Sequence, residues 1–171
     1  MSRNILVVNG HPDPRPERFC AALCDAYAAG AAARGCATRR LDVGALNLAS
    51  LADDDSEWES VEQAFRLVRA ADRLAIFYPL WANAPPAELR QMFDYISRLS
   101  AHLQPHAAVK AARVVVTTGL PAFLYRGKLK DDALRGIAAG APTLIGSVES
   151  ITSAQRARWL EQVHDYGATL S

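Results

Sequence analysis

The stretch NILVVNGHPDPRPERF (residues 4–19) contains the pattern that decides the fold. Its first six residues are a short apolar run that ends in turn residues, which is typical of a strand buried on both faces. A glycine, a histidine and three prolines follow, and residues 18–34 then show the apolar spacing of a helix closed by Gly35. A buried strand that passes through a stiff connection into a helix indicates one unit of a parallel α/β sheet.

The remainder of the chain repeats this alternation. Further strands are predicted over 36–43, 72–80, 112–119 and 141–150, and further helices over 57–70, from Pro86 onward and over 153–169. Right-handed crossovers turn this order into a doubly wound parallel sheet of five strands, with the strand order 2-1-3-4-5. No repeat, linker or low-complexity segment interrupts the pattern, so residues 1–171 are expected to form a single domain.

Composition restricts the classes of function that the chain can have. Half of the 171 residues are hydrophobic and the formal net charge is +1, so no basic excess is available for nucleic acid. No apolar stretch approaches the roughly 18 residues of a membrane span, and the N-terminus enters a strand without a signal-peptide layout. Three cysteines, an odd number, fit a reducing compartment. A cytoplasmic protein with no membrane span and no nucleic-acid partner is therefore expected.

The unusual residues collect in the connections that leave the carboxyl ends of the strands. These are GHPDPRPER (10–18), WANAPP (81–86) and GLPAFLYRGK (119–128), whereas the connections at the other edge are plain. In an open parallel sheet, ligands bind beside the carboxyl ends of the strands where the strand order reverses, here between the first and third strands. Loops on a rigid scaffold commonly carry function, so this edge is predicted to hold a ligand.

The first connection has the features of an anion site. It leads into a helix N-terminus, where free backbone N–H groups and the helix dipole favour negative charge. His11 and Arg18 could add charge-assisted hydrogen bonds to a phosphate, whereas Arg15 is expected to lie in solvent. The chain contains neither G-x-G-x-x-G nor G-x-x-x-x-G-K, the fingerprints of dinucleotide and nucleoside-triphosphate loops.

The other two connections favour a flat, polar ring. Backbone amides around the TTG turn (117–119) can approach such a ring closely, and Trp81 can cover an apolar face of it. A phosphate at one end and a heterocycle at the other describe a flavin nucleotide. A core position for Trp81 and a subunit contact for Phe123 remain alternatives at this stage.

Other candidate sites are weaker. Cys20 and Cys24 are one helical turn apart within an apolar stripe, so core packing is expected for them rather than metal or redox chemistry. Pro105 stands between His102 and His106 and would break a helix that joined them, so no metal site is expected there. No serine stands in G-x-S-x-G, the signature of one large class of hydrolases.

Three segments, in order and spacing, resemble the flavodoxin-like NAD(P)H:quinone oxidoreductases: GHPDPRPERF (10–19), FYPLWANAPPAELRQMFDYI (77–96) and TTGLPAFLYR (117–126). The tail over 143–167 is similar to the bacterial NAD(P)H dehydrogenase (quinone) branch, so the resemblance covers nearly the whole chain. It implies a flavodoxin-like fold and a homodimeric flavoprotein that contains FAD or FMN. In that family a hydride passes from NAD(P)H to the flavin and then to a quinone or a similar small electrophile.

The resemblance also implies roles for individual residues. The positions that match the phosphate end of the flavin site are His11, Arg18, Phe19 and Cys20. The positions that match the lining of the isoalloxazine ring are Pro79, Leu80, Trp81, Ala82 and Asn83. The positions that match the contact with its pyrimidine edge are Thr117, Thr118, Gly119 and Leu120. Tyr125 matches a catalytic tyrosine, whose phenol can donate a hydrogen bond to charge that develops on the reduced flavin or the quinone oxygen.

Two other classes of function remain open. The stretch after Tyr125 is shorter than in the family and lacks the histidine that partners the tyrosine. This departure would suit a flavin- or nucleotide-binding regulatory or ancillary subunit with little turnover. A one-electron carrier of the flavodoxin type is disfavoured, because the net charge is near neutral and no acidic run lies beside the loops.

Overall fold

The computed structural model describes residues 3–46, 48, 55–81, 83–103, 111–125 and 138–170. Within these ranges, six strands form one parallel sheet that has helices on both faces. The strands are β1 (Asn4–Asn9), β2 (Ala37–Asp42), β3 (Arg73–Leu80), β4 (Ala111–Thr118), β5 (Ala138–Ala139) and β6 (Thr143–Ile145). The helices are α1 (Phe19–Ala33), α2 (Asp55–Ala70), α3 (Ala87–Leu103) and α4 (Ser153–Thr169), with short 3-10 helices over Val43–Ala45 and Ala122–Tyr125.

The strand order is β2-β1-β3-β4, and both β5 and β6 pair with the outer side of β4. Ala112 lies opposite Ala139 and Val115 lies opposite Thr143, so β5 and β6 together occupy the fifth strand position with one extra residue between them. The predicted order 2-1-3-4-5 is confirmed. The predicted continuous strand over 141–150 was wrong: only Thr143–Ile145 pairs with β4, because Pro142 has no N–H to donate to a ladder and the chain turns away after β6, where Ser147 has a left-handed φ of 55°.

The central strands are apolar on both faces because the sheet separates two cores. Leu6 and Val8 of β1 belong to the core under α2 and α3, whereas Ile5 and Val7 belong to the core under α1 and α4. Side chains of a strand alternate between its faces, so an uninterrupted apolar run covers both layers. The three-layer arrangement fixes the carboxyl edge of the sheet as one rigid platform.

Helices α1 and α4 lie unusually close to each other. A Cβ placed on Gly30 would lie 1.9 Å from the backbone oxygen of His164, and one on Gly167 would lie 2.1 Å from that of Tyr27. Only glycine fits such an approach between two backbones. α4 begins at a capping box in which Thr152 and Gln155 satisfy each other's backbone N–H groups. None of the helices in the described ranges combines the length and apolarity that crossing a bilayer requires.

Candidate functional site

The first and second connections meet at the carboxyl ends of β1 and β3, where the strand order reverses. The ring of His11 stands edge-on to Trp81, with 5.6 Å between the ring centroids and 84° between the planes. The Gly10 N–H donates to the backbone oxygen of Phe77 across the two strands, at 2.7 Å. The predicted meeting of these two loops at the switch point is therefore confirmed.

The stiffness of the first connection has a specific cause in its backbone. The Asn9 Oδ1 accepts the N–H of His11 at 3.2 Å, the His11 Nδ1 accepts that of Asp13 at 2.9 Å, and the Asp13 Oδ1 accepts that of Arg15 at 3.1 Å. The positions between them are prolines, which have no N–H. From residue 11 to 16, each backbone nitrogen thus either donates its N–H to a side chain two residues earlier or belongs to a proline. The result is a series of Asx-type turns.

The start of this series is anchored to the neighbouring strand and helix. Asn9 is fully buried, and its Nδ2 donates to the Asp42 Oδ1 at 2.8 Å. Arg40 donates to the same carboxylate through Nε at 3.1 Å and also pairs with Asp25 of α1. A Cβ on Gly44 would lie 2.0 Å from the Pro12 oxygen, so the 3-10 helix after β2 supports the loop from outside. These contacts hold the loop on both sides without a ligand.

His11 is half-buried, and its environment keeps the ring neutral. Burial lowers the pKa of His11 below its ordinary value of 6.5, and the nearby Arg18 guanidinium lowers it further. Because Nδ1 accepts the Asp13 N–H, the proton of the neutral ring resides on Nε2. Neutral His11 can therefore donate a single hydrogen bond, through Nε2.

The two arginines of the first connection share one partner. Arg15 and Arg18 both reach the Asp13 Oδ2, with nitrogen-to-oxygen distances of 2.6 Å and 2.5 Å. The hydrogen bonds from Arg15, followed by those from Arg18, hold the pKa of the Asp13 carboxyl well below its usual range. Arg15 is exposed, as expected, but both guanidiniums are paired within the loop. The sequence did not predict this pairing. The pairing with Asp13 reduces the positive charge that Arg18 offers to an anion.

The first turn of α1 offers backbone donors next to this loop. Arg18 is the N-cap residue and makes no side-chain capping bond, and the first helical hydrogen bond runs from Ala22 to the Arg18 oxygen at 3.2 Å. The N–H groups of Phe19, Cys20 and Ala21 thus lack acceptors within the helix, and its first turn contains no acidic residue. An anion at this position would meet the positive end of the helix dipole.

The structure separates the roles of Phe19 and Cys20. The Cys20 side chain is buried in the core, with its Sγ 3.5 Å from the Thr117 Oγ1, and burial raises the pKa of the thiol to about 11. Only the backbone of Cys20 can therefore contact a ligand. The ring of Phe19 is half-buried, and the Arg156 guanidinium lies 4.5 Å from its centroid. Cys24 is also buried, as the apolar stripe predicted.

The second connection exposes Trp81. Pro79 and Leu80 close β3, both buried, and Trp81 follows with 53% of its surface exposed. Its backbone N–H and oxygen pair with Ala84 at 3.0 Å and 2.9 Å, and Asn83 adopts a φ of 65°, a left-handed conformation that asparagine tolerates. The alternative of a core tryptophan is wrong for Trp81. Ala82 lies outside the described residues.

The third connection exposes a backbone donor and an apolar side chain. Thr117 and Thr118 are buried, and the Thr118 Oγ1 accepts the N–H of Leu120 at 3.2 Å. Gly119 is exposed, and its N–H has no acceptor among the described residues. Leu120 is 55% exposed. The threonine hydroxyls are therefore used inside the protein, whereas Gly119 and Leu120 face outward.

Tyr125 is a buried residue at the end of the third connection. The residue ends a 3-10 helix, is 7% exposed and belongs to the core under α2 and α3. Its hydroxyl makes no hydrogen bond to the described residues. The segment that follows, residues 126–137, lies outside the described part of the chain.

One acidic residue at this edge was missed by sequence reasoning. The Glu149 Oε1 lies 3.6 Å from the position that a Cβ on Gly119 would take. The only sequence signal for it is that GSVES (146–150) follows a strand whose carboxyl end reaches the same edge. Three or more potential metal ligands do not converge anywhere in the described ranges. His102 lies in α3, whereas His106 lies outside those ranges.

Comparison with known proteins identifies the fold. A family model described as a flavodoxin-like fold matches residues 3–141. A candidate quinone reductase from Klebsiella pneumoniae superposes with a TM-score of 0.78 at 17% identity, over 99% of this chain and 85% of that one. An NAD(P)H:quinone oxidoreductase from Methanothermobacter marburgensis gives 0.76 at 19% identity, over 100% and 97%.

An NADH:FMN oxidoreductase in its apo form gives a TM-score of 0.70 at 18% identity, over 99% of this chain and 90% of that one. The TM-scores establish a shared fold, and identities this low leave the chemistry to be argued from the site. No curated protein sequence matches the chain.

Proposed function

The chain belongs to the flavodoxin-like fold family, and on this premise we propose that it is a flavin-dependent NAD(P)H oxidoreductase that reduces quinones or similar small electrophiles. The observation that carries the proposal is the contact between His11 and Trp81 at the switch point. It joins a helix N-terminus with open N–H groups to an exposed aromatic surface on one edge of the sheet. A flavin nucleotide has a matching phosphate and a matching flat ring.

The phosphate would lie at the start of α1. Phe19, Cys20 and Ala21 offer backbone N–H groups there, and neutral His11 offers its Nε2 proton. The loop needs no reordering, since its N–H groups are already bonded, so little conformational entropy is lost on binding. Arg18 can contribute to the extent that the phosphate competes with Asp13 for its guanidinium.

The isoalloxazine ring would lie against the second and third connections. Pro79 to Asn83 would line one side of it, and the turn from Thr117 to Leu120 would meet its pyrimidine edge, chiefly through the Gly119 backbone. A bound flavin supplies hydride transfer from NAD(P)H to the electrophile. Tyr125 would contribute its hydroxyl, which has no partner among the described residues, as a hydrogen-bond donor to an oxygen on which negative charge develops.

The proposal includes a homodimer in the cytoplasm. Phe123 and Leu124 follow the pyrimidine-edge turn and are exposed together with Trp81 and Leu120. Exposed apolar surface of this kind commonly marks an interface, and a second copy would also shield the ring from water. The cytoplasm provides NAD(P)H, and free thiols such as those of Cys20, Cys24 and Cys36 persist there.

The decisive experiment identifies the cofactor and then measures turnover. The protein is purified, its visible absorbance is recorded, and any cofactor is released by heat and compared with FMN and FAD standards. NADH and NADPH oxidation is then followed with a small panel of quinones and azo compounds. We expect a yellow protein, or one whose melting temperature rises on adding FMN or FAD, and electrophile-dependent oxidation.

The outcomes separate the classes that the sequence left open. A protein that stays colourless and gains no thermal stability from either flavin would contradict the proposal. Flavin binding with no oxidation of NADH or NADPH would instead indicate a regulatory or ancillary flavin-binding protein.

A further inference from the structure

We propose that Glu149 recognises the flavin: its carboxylate accepts a hydrogen bond from the imide N–H of the isoalloxazine ring and its charge lowers the reduction potential of the bound flavin. The inference rests on the proposed function and deepens it. It concerns a residue that neither the sequence pattern nor the family resemblance singled out.

The connection between β6 and α4 is fixed against the turn that follows β4. The Val148 N–H donates to the Thr118 oxygen and the Ser147 N–H donates to the Leu120 oxygen, both at 3.1 Å. A Cβ on Gly146 would lie 2.3 Å from the backbone nitrogen of Ala122, so the two segments are in close contact along their length. A ligand that contacts the TTG turn would therefore also lie close to residues 146–150.

The packing of residues 146–150 against the turn after β4 holds Ser147 in a backbone conformation that serine does not favour. Its φ is 55°, in the left-handed region that side chains with a Cβ seldom adopt. The Ser150 N–H donates to the Ser147 oxygen at 3.0 Å and closes a tight turn around Glu149. The direction in which Glu149 leaves the backbone is therefore set by the surrounding hydrogen bonds.

Within the described part of the chain, the Glu149 carboxylate has no partner, and it lies beside Gly119, whose N–H has no acceptor there either. Its Oε1 and Cδ lie 3.6 Å and 3.7 Å from the Cβ position of Gly119, and no other described atom outside residues 118–120 lies within 4 Å of that position. Glu149 is exposed and forms neither an ion pair nor a hydrogen bond with the described residues. The N-terminus of α4, three residues further on, favours negative charge at this place.

This arrangement complements the pyrimidine edge of a flavin. That edge presents an imide N–H between two carbonyl oxygens, so it needs one acceptor flanked by donors. The hydroxyl of Thr118 is bonded within its own turn, whereas the Gly119 N–H donor and the Glu149 acceptor are unpaired among the residues that the structure describes. Reduction adds negative charge to the ring, so a fixed carboxylate stabilises the oxidised form relative to the reduced one.

The test uses two variants of Glu149 and one control. Glu149→Gln keeps an acceptor and removes the charge, whereas Glu149→Ala removes both. Glu161→Gln, on the exposed part of α4, is the matched control. For each protein, the affinities for oxidised FMN and for FMN methylated at the imide nitrogen are measured by titration, and the midpoint potential by equilibration with redox dyes.

We expect Glu149→Gln to raise the midpoint potential with little change in affinity for oxidised FMN. A tenfold change in the ratio of oxidised to reduced affinity corresponds to about 30 mV for a two-electron couple. Glu149→Ala should also lower the affinity for oxidised FMN threefold to tenfold. It should abolish the preference that the wild type shows for FMN over its methylated analogue. Because Glu149 is exposed, both variants should keep the melting temperature of the apoprotein.

The outcomes distinguish this inference from the function on which it rests. If the wild type binds FMN and both variants retain its affinity, its potential and its discrimination against the methylated analogue, Glu149 has no role and the inference is wrong. If the wild type binds no flavin, the proposed function fails, and the role of Glu149 fails with it.

Discussion

Asp13 controls how much positive charge the first connection can offer to a ligand. Its Oδ1 accepts both the backbone N–H and the side-chain Nε–H of Arg15, and its Oδ2 pairs with the Arg15 and Arg18 side chains. A phosphate at the start of α1 would compete with this carboxylate for Arg18. The same residue thus shapes the loop and restrains its charge, and a substitution can separate the two effects.

Asp13→Asn should strengthen the binding of FMN. Asparagine keeps the Oδ1 that accepts the Arg15 N–H, but it removes the negative charge and the Oδ2 acceptor that Arg18 uses, so the Arg18 guanidinium is released to an anion. We expect FMN affinity to rise severalfold, an effect that diminishes at high salt, while riboflavin affinity stays constant because riboflavin has no phosphate. Fluorescence titration with both ligands measures this, and Asp165→Asn, on the exposed face of α4, serves as control. Equal changes for the two ligands would contradict the role given to Asp13.

His11 should make the stability of the protein depend on pH. Its pKa in the folded protein is below the ordinary value of 6.5, chiefly through burial and then through Arg18, while Asp13 acts more weakly in the opposite direction. His11 therefore binds a proton more readily in the unfolded chain than in the folded protein. The contribution of neutral His11 to the free energy of unfolding is complete above pH 6.5 and is lost as the pH falls towards the pKa of the folded state.

The variant His11→Asn isolates this contribution. Asparagine can still accept the Asp13 N–H but does not titrate, so the loop keeps its turn. Urea unfolding between pH 5 and 8 should show a wild-type free energy of unfolding that declines more steeply below pH 6.5 than that of the variant. Parallel curves for the two proteins would mean that burial of His11 does not oppose its protonation.

At the scale of elements, sequence reasoning succeeded where local signals and tertiary packing agree. The bounds of β1 and α4 were predicted correctly, because one is a continuous apolar run and the other an amphipathic pattern whose start the capping box at Thr152 fixes. The fifth strand was wrong because only Thr143–Ile145 of the predicted 141–150 pairs with β4, and the chain then turns at Ser147 to pack against the connection after β4. Which residues pair across a sheet depends on the partner strand, and a single strand's sequence does not contain that information.

The contact between α1 and α4 leads to a prediction in which two effects oppose each other. Gly30→Ala would gain about 1 kcal/mol of helix propensity. The new Cβ would, however, lie 1.9 Å from the His164 oxygen, which forces two packed backbones apart. Overpacking typically costs about 1–3 kcal/mol, and here the obstacle is backbone, so we expect net destabilisation of about 1–2 kcal/mol.

Denaturant unfolding measures this effect, with Gly140→Ala as the control. A Cβ on Gly140 meets nothing within 4 Å, so its effect should stay within about 0.5 kcal/mol. A Gly30→Ala variant as stable as the wild type would show that the two helices can separate at little cost.

At the scale of the molecule, the location of the site could be predicted and its internal pairing could not. The strand order placed the first two odd connections at one point, and the contact of His11 with Trp81 lies there. The sharing of Asp13 by two arginines depends on turns formed by neighbouring side chains. The approach of Glu149 to Gly119 joins residues thirty positions apart through loop packing, which no local pattern reports.

The same edge accounts for the exposed large apolar side chains of the described residues. Trp81, Leu120, Phe123 and Leu124 all lie in the second and third connections, and Phe123, at 67%, is the most exposed of them. A flat ring over Trp81 and Leu120 would leave Phe123 and Leu124 facing water. The proposed homodimer gives these two residues a partner surface, which makes Phe123 the sharper place to test it.

Phe123→Asp should convert the dimer into a monomer. In a twofold interface each copy contributes Phe123 once, so a loss of about 2 kcal/mol per side chain amounts to about 4 kcal/mol per dimer. That weakens association roughly a thousandfold, before the added cost of burying a charge. Light scattering after size exclusion should therefore report a dimer for the wild type and for the control Ala157→Asp, on an exposed position of α4, and a monomer for Phe123→Asp. A wild type that is monomeric at micromolar concentration would contradict the dimer and would leave the flavin ring exposed to solvent on the side of Phe123.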